Sequence, residues 1–304
     1  MRAQSLENLS FKAPPGKRLV VLGDPISHSL SPAMHNAALR EMARSHPDLD
    51  GWAYSAVHVP ADRLKEALET LHAAGVFGIN LTLPHKVRAL ELVEEIDPSV
   101  RAMGAVNTLI RTDNAYRATN TDGYGIGKAI LEAFGKPLKG QDIWLFGAGG
   151  AARGIVVACL QAGCHRLTVV NRSEERLGEL EEQLYGFDCG TVELRFCLSA
   201  SAPDDQAEQS ILINATSLGL KDSDPCPIAE TYLRRGACVY DTTYGVRNKL
   251  AALSSREGIP YADGLSMLVW QGARSLEIWT GHPVPAETMR KAAEAQLMER
   301  TQNG

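Results

Sequence analysis

Several short stretches of this 304-residue sequence carry side chains that could do chemistry. The first is Gly23-Asp24-Pro25-Ile26-Ser27-His28-Ser29-Leu30-Ser31-Pro32. Ser29 and Ser31 are two apart, so on an extended backbone their hydroxyls point the same way. They precede a helical stretch, whose free amides and dipole favour an anion, and a small carboxylate fits there. Plain helix capping would explain Ser31 but not Ser29. The second is Ile79-Asn80-Leu81-Thr82-Leu83-Pro84-His85-Lys86, in which Asn80 and Thr82 share one strand face and Leu81 and Leu83 the other. Lys86 falls in the first turn of the helix that follows. A cation gains no stability from the positive end of a helix, but a group that gives and takes a proton is well placed there. The alternative is a lysine that faces solvent. A third stretch sets Asn107 in Gly-Ala-Val-Asn-Thr and Asp122 in Asn120-Thr121-Asp122-Gly123, polar residues framed by small ones. Asp122 could hold Lys86 charged or exchange protons with it. Read alone, these are turn residues.

A fourth stretch, Gly147-Ala148-Gly149-Gly150-Ala151-Ala152, fits G-x-G-x-x-A between an apolar run and a helical one. Gly147 suits the tight turn and Gly149 a close backbone approach to a pyrophosphate. Ala152 keeps the helix near the sheet. The next strand ends at Asn171, near the distance at which a dinucleotide's ribose is read. There the sequence is Asn171-Arg172-Ser173-Glu174-Glu175-Arg176. An acidic residue at the strand tip would repel a 2′-phosphate, whereas Arg172 invites one. Arg176, four residues on, reaches the same side of an opening helix. The pattern favours NADP over NAD. If Glu174 and Glu175 paired with the arginines, the same residues would be an ordinary solvated helix start.

Elements must hold these groups in place. Arg18–Leu22, Tyr54–Val59 and Val76–Leu83 read as strands; Ser31–Arg44, Pro60–Ala74 and Pro84–Ile96 read as helices, with Ser31 as N-cap of its helix. After Gly140 a second unit begins, with strands over Asp142–Phe146, Leu167–Asn171, Ile211–Asn214 and Ala237–Asp241. Helices follow Gly147 and span Glu174–Tyr185. Leu265–Thr280 and Pro285–Arg300 are closing helices. Strand–helix alternation implies parallel α/β architecture. No stretch reads as a flexible linker, so the two units are expected to share a rigid interface with a cleft.

Composition narrows the class. The 31 Lys and Arg against 36 Asp and Glu give a net charge of −5, which offers nothing to nucleic acid or a membrane surface. No apolar run approaches the ~18 residues of a membrane span. The polar N-terminus has no signal-peptide pattern, and a cytoplasmic protein is expected. Cys159, Cys164, Cys189, Cys197, Cys226 and Cys238 form no C-x-x-C pair and read as reduced thiols. The histidines show no metal-binding spacing along the chain, so no metal site is expected.

With these motifs in order, the chain resembles the shikimate dehydrogenase family over nearly its whole length. Residues 1–17 lie outside the resemblance and read as an irregular tail. The GDPISHSLSP stretch resembles that family's shikimate-carboxylate loop, implying that Ser29 and Ser31 bind this group. The INLTLPHK stretch implies Lys86 as the catalytic lysine, with Asn80 and Thr82 lining the site. NTDG implies Asp122 as its catalytic partner and Thr121 as a substrate neighbour, and AVNTL implies substrate binding by Asn107. The later INATSLG, YDTTY and DGLSMLVWQ resemble motifs that imply Thr216, Ser217, Thr242, Gly264 and Met267 near the cofactor, and Tyr244 and Gln271 at the substrate. Asn171 and Ser173 join the two arginines at the phosphate end.

The resemblance implies two α/β domains. The substrate domain would comprise 18–122 and 265–304, and a Rossmann-type NADP-binding domain, 123–264, would be inserted in it. It also implies NADPH-dependent reduction of 3-dehydroshikimate to shikimate, in a monomer or homodimer. A sibling that also takes quinate is one alternative, decided at the Ser29–Ser31 loop. A catalytically silent NADP-sensing regulator is another, although Lys86 and Asp122 are both present.

Overall fold

The protein is described by a computed structural model covering residues 4–5 and 16–303, except 204, 207, 222, 246 and 247, with backbone alone at 98, 99, 102 and 303. The chain forms two compact units. One holds the residues up to Thr121 and from Val269 onward; the other is Asp122–Leu268.

The first unit begins with β1 (Gln4–Ser5), β2 (Arg18–Gly23), α1 (Ser31–Met42), β3 (Ala53–His58), α2 (Leu64–Ala73) and β4 (Gly78–Leu81). It continues through α3 (His85–Arg88), β5 (Glu95–Ile96), α4 (Pro98–Met103), β6 (Thr108–Arg111) and β7 (Tyr116–Thr119). Its sheet runs in the order β1-β3-β2-β4-β6-β7-β5. The strands from β1 to β4 are mutually parallel; α1 returns the chain from β2 to β3, and α2 from β3 to β4. β6 is antiparallel to both β4 and β7, so this one strand departs from the parallel pattern expected, while β7 and β5 run with β1 to β4. The apolar β2 is buried over Leu19–Leu22, and α2 buries Leu64, Ala67, Leu68 and Leu71 at helical spacing. Gly75, at φ +78°, turns the chain out of α2 into β4, a conformation that glycine adopts without strain.

Three expectations change here. Gln4–Ser5 pair in parallel with Val57 and His58, so part of the expected tail is a strand; residues 1–3 and 6–15 lie outside the described residues. The helix expected over Pro84–Ile96 is a single α-turn, then a 3-10 turn over Ala89–Glu91, then β5. Leu90, Leu92 and Ile96 pack against the core beneath the sheet, and pairing of Glu95–Ile96 with β7 ends the helical run. Ser31 is the first residue of α1 rather than its cap, because Leu30 is already helical at φ −85°, ψ −14°.

The second unit runs α5 (Asp122–Phe134), β8 (Asp142–Phe146), α6 (Gly150–Ala162), β9 (Arg166–Asn171), α7 (Glu174–Gln183) and β10 (Glu193–Leu198). Next come β11 (Ser210–Asn214), α8 (Glu230–Leu233), β12 (Gly236–Asp241), α9 (Lys249–Glu257) and β13 (Tyr261–Ala262). α10 (Leu265–Thr280) leads the chain back to the first unit, where α11 (Ala286–Asn303) packs on α1. All six strands are parallel, in the order β10-β9-β8-β11-β12-β13. Numbered within the unit this is 3-2-1-4-5-6, the dinucleotide-binding order, whose direction reverses between β8 and β11. Among the described residues no helix is long and apolar enough to cross a membrane.

Candidate active site

In the first unit the site residues gather at the ends of β2 and β4 and along α10. Asn80, the third residue of β4, is buried. Its amide nitrogen donates to the Asn107 carbonyl (3.0 Å), Thr108 Oγ1 (3.1 Å) and Ser275 Oγ (3.0 Å). Its Oδ1 accepts from the Tyr54 hydroxyl at 2.8 Å. Asn107, also buried, accepts at Oδ1 from the Thr121 amide (2.8 Å) and the Thr108 hydroxyl (2.8 Å). Its Nδ2 donates to Thr121 Oγ1 (2.9 Å) and Gln271 Oε1 (3.2 Å). Four expected residues, Asn80, Asn107, Thr121 and Gln271, thus share one buried amide–hydroxyl network. Such networks hold side chains in fixed orientations only when their members are satisfied.

Tyr54, Thr108 and Ser275 belong to this network and were missed from the sequence. Ser275 bonds Thr108 at 2.8 Å and Thr121 at 3.1 Å. It lies one helical turn after Gln271, whose carbonyl it also bonds, and the i, i+4 spacing was the available signal. Below the network, the His35 ring stacks on Tyr54 with centroids 4.0 Å apart, and its Nδ1 bonds the Ser31 carbonyl at 2.9 Å. Full burial pushes the His35 pKa down to about 4.

That value has a consequence for stability. A free histidine titrates near 6.5, so between the two values the unfolded chain holds the proton and the folded chain does not. The contribution of neutral His35 is complete above pH 6.5 and is lost as pH falls toward 4, by about 3 kcal/mol. His85, whose pKa burial also lowers, acts in the same direction. We expect His35→Gln to make the decline of the urea midpoint between pH 7 and pH 4.5 shallower than in wild type. Equal declines would show that His35 does not carry it.

The serine loop differs in detail from the sequence expectation. Leu30 is not extended, and Ser29 Oγ accepts from the Ser31 amide at 3.3 Å. Ser29 therefore satisfies the first amide of α1, while Ser31 is buried. The loop is tied down by the Asp24 amide on the Leu83 carbonyl (3.0 Å) and by Arg300 of α11 on the His28 carbonyl (2.9 Å). Thr82 and Lys86 follow β4 and are half-buried. Leu83, expected on the apolar face, is 64% exposed because the strand ends at Leu81. The Val106 amide bonds the Lys86 carbonyl at 2.8 Å, which fixes the lysine's backbone beside the residue preceding Asn107. A single α-turn gives Lys86 a weaker dipole than the long helix expected.

In the second unit the glycine turn sits at the reversal point of the sheet. Gly147 has φ +121°, and a Cβ there would lie 2.8 Å from the Ala215 carbonyl oxygen just past β11, so no other residue fits. Gly149 is the N-cap of α6, and a Cβ there would meet nothing within 4 Å. The turn thus leaves open space over the first amides of α6, the kind of surface that suits an anion. Ala148 and Ala152 are buried, and Gly150 and Ala151 form the partly open first turn. At the tip of β9, Asn171 Nδ2 bonds the Ser173 carbonyl (3.1 Å), and Ser173 caps α7 through the Arg176 amide (3.4 Å). Arg172 and Arg176 are exposed, and among the described residues neither forms an ion pair, so the pairing with Glu174 and Glu175 does not occur. α7 is held by Arg153 of α6, which bonds Glu179 at 2.9 Å and also Gln183.

Past β11 and β12, Asp241 organises the loops. It is fully buried, accepting from Asn214 Nδ2 (2.9 Å) and the Thr243 amide (3.0 Å) at Oδ1, and from Asn248 Nδ2 (2.8 Å) and the Tyr261 hydroxyl (3.2 Å) at Oδ2. Asn214 in turn accepts from the Thr216 hydroxyl at 2.7 Å. Ser217 is exposed, and Thr242 and Tyr244 are half-buried. A Cβ on Gly264 would lie 2.2 Å from the Thr242 carbonyl oxygen, so glycine is required where these two loops cross. The Met267 amide donates to the Tyr240 hydroxyl at 3.0 Å. Asp122 is buried as the first residue of α5, where a carboxylate suits the helix's positive end, rather than in a turn.

The sheet order and the glycine turn place the second unit among the dinucleotide-binding domains. Comparison with known proteins narrows this. The family model for the shikimate dehydrogenase substrate binding domain matches residues 21–109, that for shikimate / quinate 5-dehydrogenase matches 128–218, and that for the shikimate 5′-dehydrogenase C-terminal domain matches 264–294. The chain belongs to the shikimate dehydrogenase family. It is 37% identical to shikimate dehydrogenase (NADP(+)) of Rubrobacter xylanophilus, over 91% of this chain and 95% of the relative. It is 35% identical to that of Symbiobacterium thermophilum, over 93% and 95%. The crystal structure of shikimate 5-dehydrogenase from Thermus thermophilus in complex with NADP(H) and shikimate superposes with a TM-score of 0.75 at 33% identity, covering 92% of this chain and 99% of that one.

Proposed function

We propose that this chain catalyses the reversible, NADPH-dependent reduction of 3-dehydroshikimate to shikimate, a step toward chorismate and the aromatic amino acids. The observation that carries the reading is the Asn80–Asn107–Thr121–Gln271 network, joined through Val106 to the backbone of Lys86, in the unit that bears the family's substrate-binding match. Bound NADPH supplies the hydride. The chain's own residues do the rest. As negative charge develops on the carbonyl oxygen, the Lys86 ammonium gives it a proton, completing the alcohol. Asp122 is assigned with Lys86 to the catalytic pair. Ser29 and Ser31 take the carboxylate, while Asn80, Thr82, Asn107, Thr121, Tyr244 and Gln271 take the ring. The 147–152 turn holds the pyrophosphate, and Asn171, Arg172, Ser173 and Arg176 hold the 2′-phosphate end. Thr216, Ser217, Thr242, Gly264 and Met267 are assigned to the nicotinamide end. The six cysteines are free thiols, which suits the reducing cytoplasm where we place the enzyme, as a monomer or homodimer. The reading is tested by mass spectrometry of a reaction containing 3-dehydroshikimate and NADPH. Shikimate should accumulate; unreacted ketone would refute the assignment.

Two further outcomes follow from the assigned residues. Arg172→Asp should weaken NADP binding by about ten- to a hundredfold, since a charged hydrogen bond contributes roughly 1.5–3 kcal/mol, and should turn preference toward NAD. Wild-type turnover as fast with NAD as with NADP would contradict this. Ser29→Ala and Ser31→Ala should raise the Michaelis constant for shikimate with little change in turnover number. Their contacts are remote from the reacting carbon and equal in ground and transition states. Unchanged constants in both variants would leave the loop a purely structural role.

A further inference from the structure

Away from the site described, one cluster joins segments that lie far apart in sequence. His46 and Asp48 sit between α1 and β3, and His282 sits between α10 and α11, all within the first unit. The His46 and His282 rings stack with centroids 3.9 Å apart and planes 22° from parallel. His282 Nε2 lies 3.2 Å from Asp48 Oδ2. Two imidazole nitrogens and one carboxylate oxygen all fall within 4.8 Å of one another. The backbone fixes each donor. The His46 amide bonds the Met42 carbonyl (2.9 Å), and the Trp52 indole bonds the Asp48 backbone carbonyl (2.9 Å), leaving the carboxylate to the cluster. The His282 amide bonds Thr280 Oγ1 (3.3 Å). Lys17, the cation in the field of Asp48, lies over the Phe77 ring at 3.5 Å.

We propose that His46, Asp48 and His282 bind a first-row divalent metal ion of the Zn²⁺ type, clipping the loop after α1 to the α10–α11 loop. Two imidazoles and a carboxylate are a common ligand set for such ions, with water completing a tetrahedron. Bonds of about 2.0–2.2 Å place tetrahedral ligands roughly 3.4 Å apart, so donors now within 4.8 Å must close by up to about 1.4 Å, and the stacked rings must swing until both lone pairs face the ion. Nitrogen donors select Zn²⁺, Ni²⁺ or Cu²⁺ over Mg²⁺ and Ca²⁺, which favour oxygen. The clip would join the two sequence segments of this unit, which are separated by the whole of the other. An ion bound only to the folded form raises its melting temperature.

The test is calorimetric titration of tag-free, chelator-treated full-length protein with ZnCl₂ and NiCl₂, beside His46→Ala and His282→Ala. The six thiols all lie in the other unit, so stray binding there is common to every variant. We expect one ion per chain in a site that each variant weakens about tenfold or more, a loss at least that of removing an outer-shell partner. No binding of MgCl₂ is expected. Zn²⁺ should raise the wild-type melting temperature more than that of either variant, with shikimate turnover unchanged by the substitutions. Should an alanine variant misfold, His282→Gln retains a hydrogen-bonding partner for Asp48 while removing the imidazole. Binding and melting shifts equal in wild type and variants, or no binding by wild type, would overturn the proposal.

Discussion

Replacing Lys86 with Met is expected to lower the turnover number by roughly two to four orders of magnitude while changing the Michaelis constant for substrate far less. Methionine keeps the length and apolar stem of lysine but carries no proton. Hydride delivery to a ketone builds negative charge on oxygen, and without a donor in reach that charge must wait for water. Because the donation occurs only as charge develops, its loss falls on turnover rather than on binding. The Lys86 backbone is anchored through its carbonyl to the Val106 amide, a bond that the substitution leaves alone. Steady-state rates in both directions provide the check. Turnover within threefold of wild type would remove lysine from the mechanism.

Asp122→Asn should be of comparable severity, and Lys86→Met/Asp122→Asn little worse than the worse single variant. Groups that act as a unit are lost together, so their effects do not multiply. Asparagine has the shape of aspartate and is itself a good residue at a helix start, so α5 should keep its beginning and the melting temperature should move little. Rate losses that multiply would mean the two residues act independently, and the pair would then be wrongly assigned.

The sequence was most informative where local signals agree. Asp142–Phe146 is a strand as expected, because an unbroken apolar run lies between Gly140 and Gly147, both at positive φ. The span of α10, Leu265–Thr280, also matches its expected limits. Where long-range pairing decides, local signals do not suffice. The run 84–96 has helical apolar spacing, yet pairing of Glu95–Ile96 with β7 ends the helix early. The β6–β7 hairpin went unseen because each strand is only four residues long, too short for alternation to stand out. Local patterning singled out Asn80 and Asn107, and the family resemblance alone pointed to Gln271, but Tyr54 and Ser275 enter the network only through folding. The histidine cluster was invisible for the same reason, since 234 residues separate His282 from Asp48. The placement of Arg172 just past β9 and of Arg176 in the first turn of α7 follows from local geometry alone.

Every assignment above depends on hydride exchange between shikimate and NADP. The most direct measurement is the growth of reduced-nicotinamide absorbance when purified enzyme meets shikimate or quinate with NADP⁺ or NAD⁺ in turn. We expect the fastest rise with shikimate and NADP⁺, a slower one when either partner is exchanged, and almost none with Lys86→Met. No rise with shikimate and either cofactor, or a faster one with NAD⁺, would contradict it.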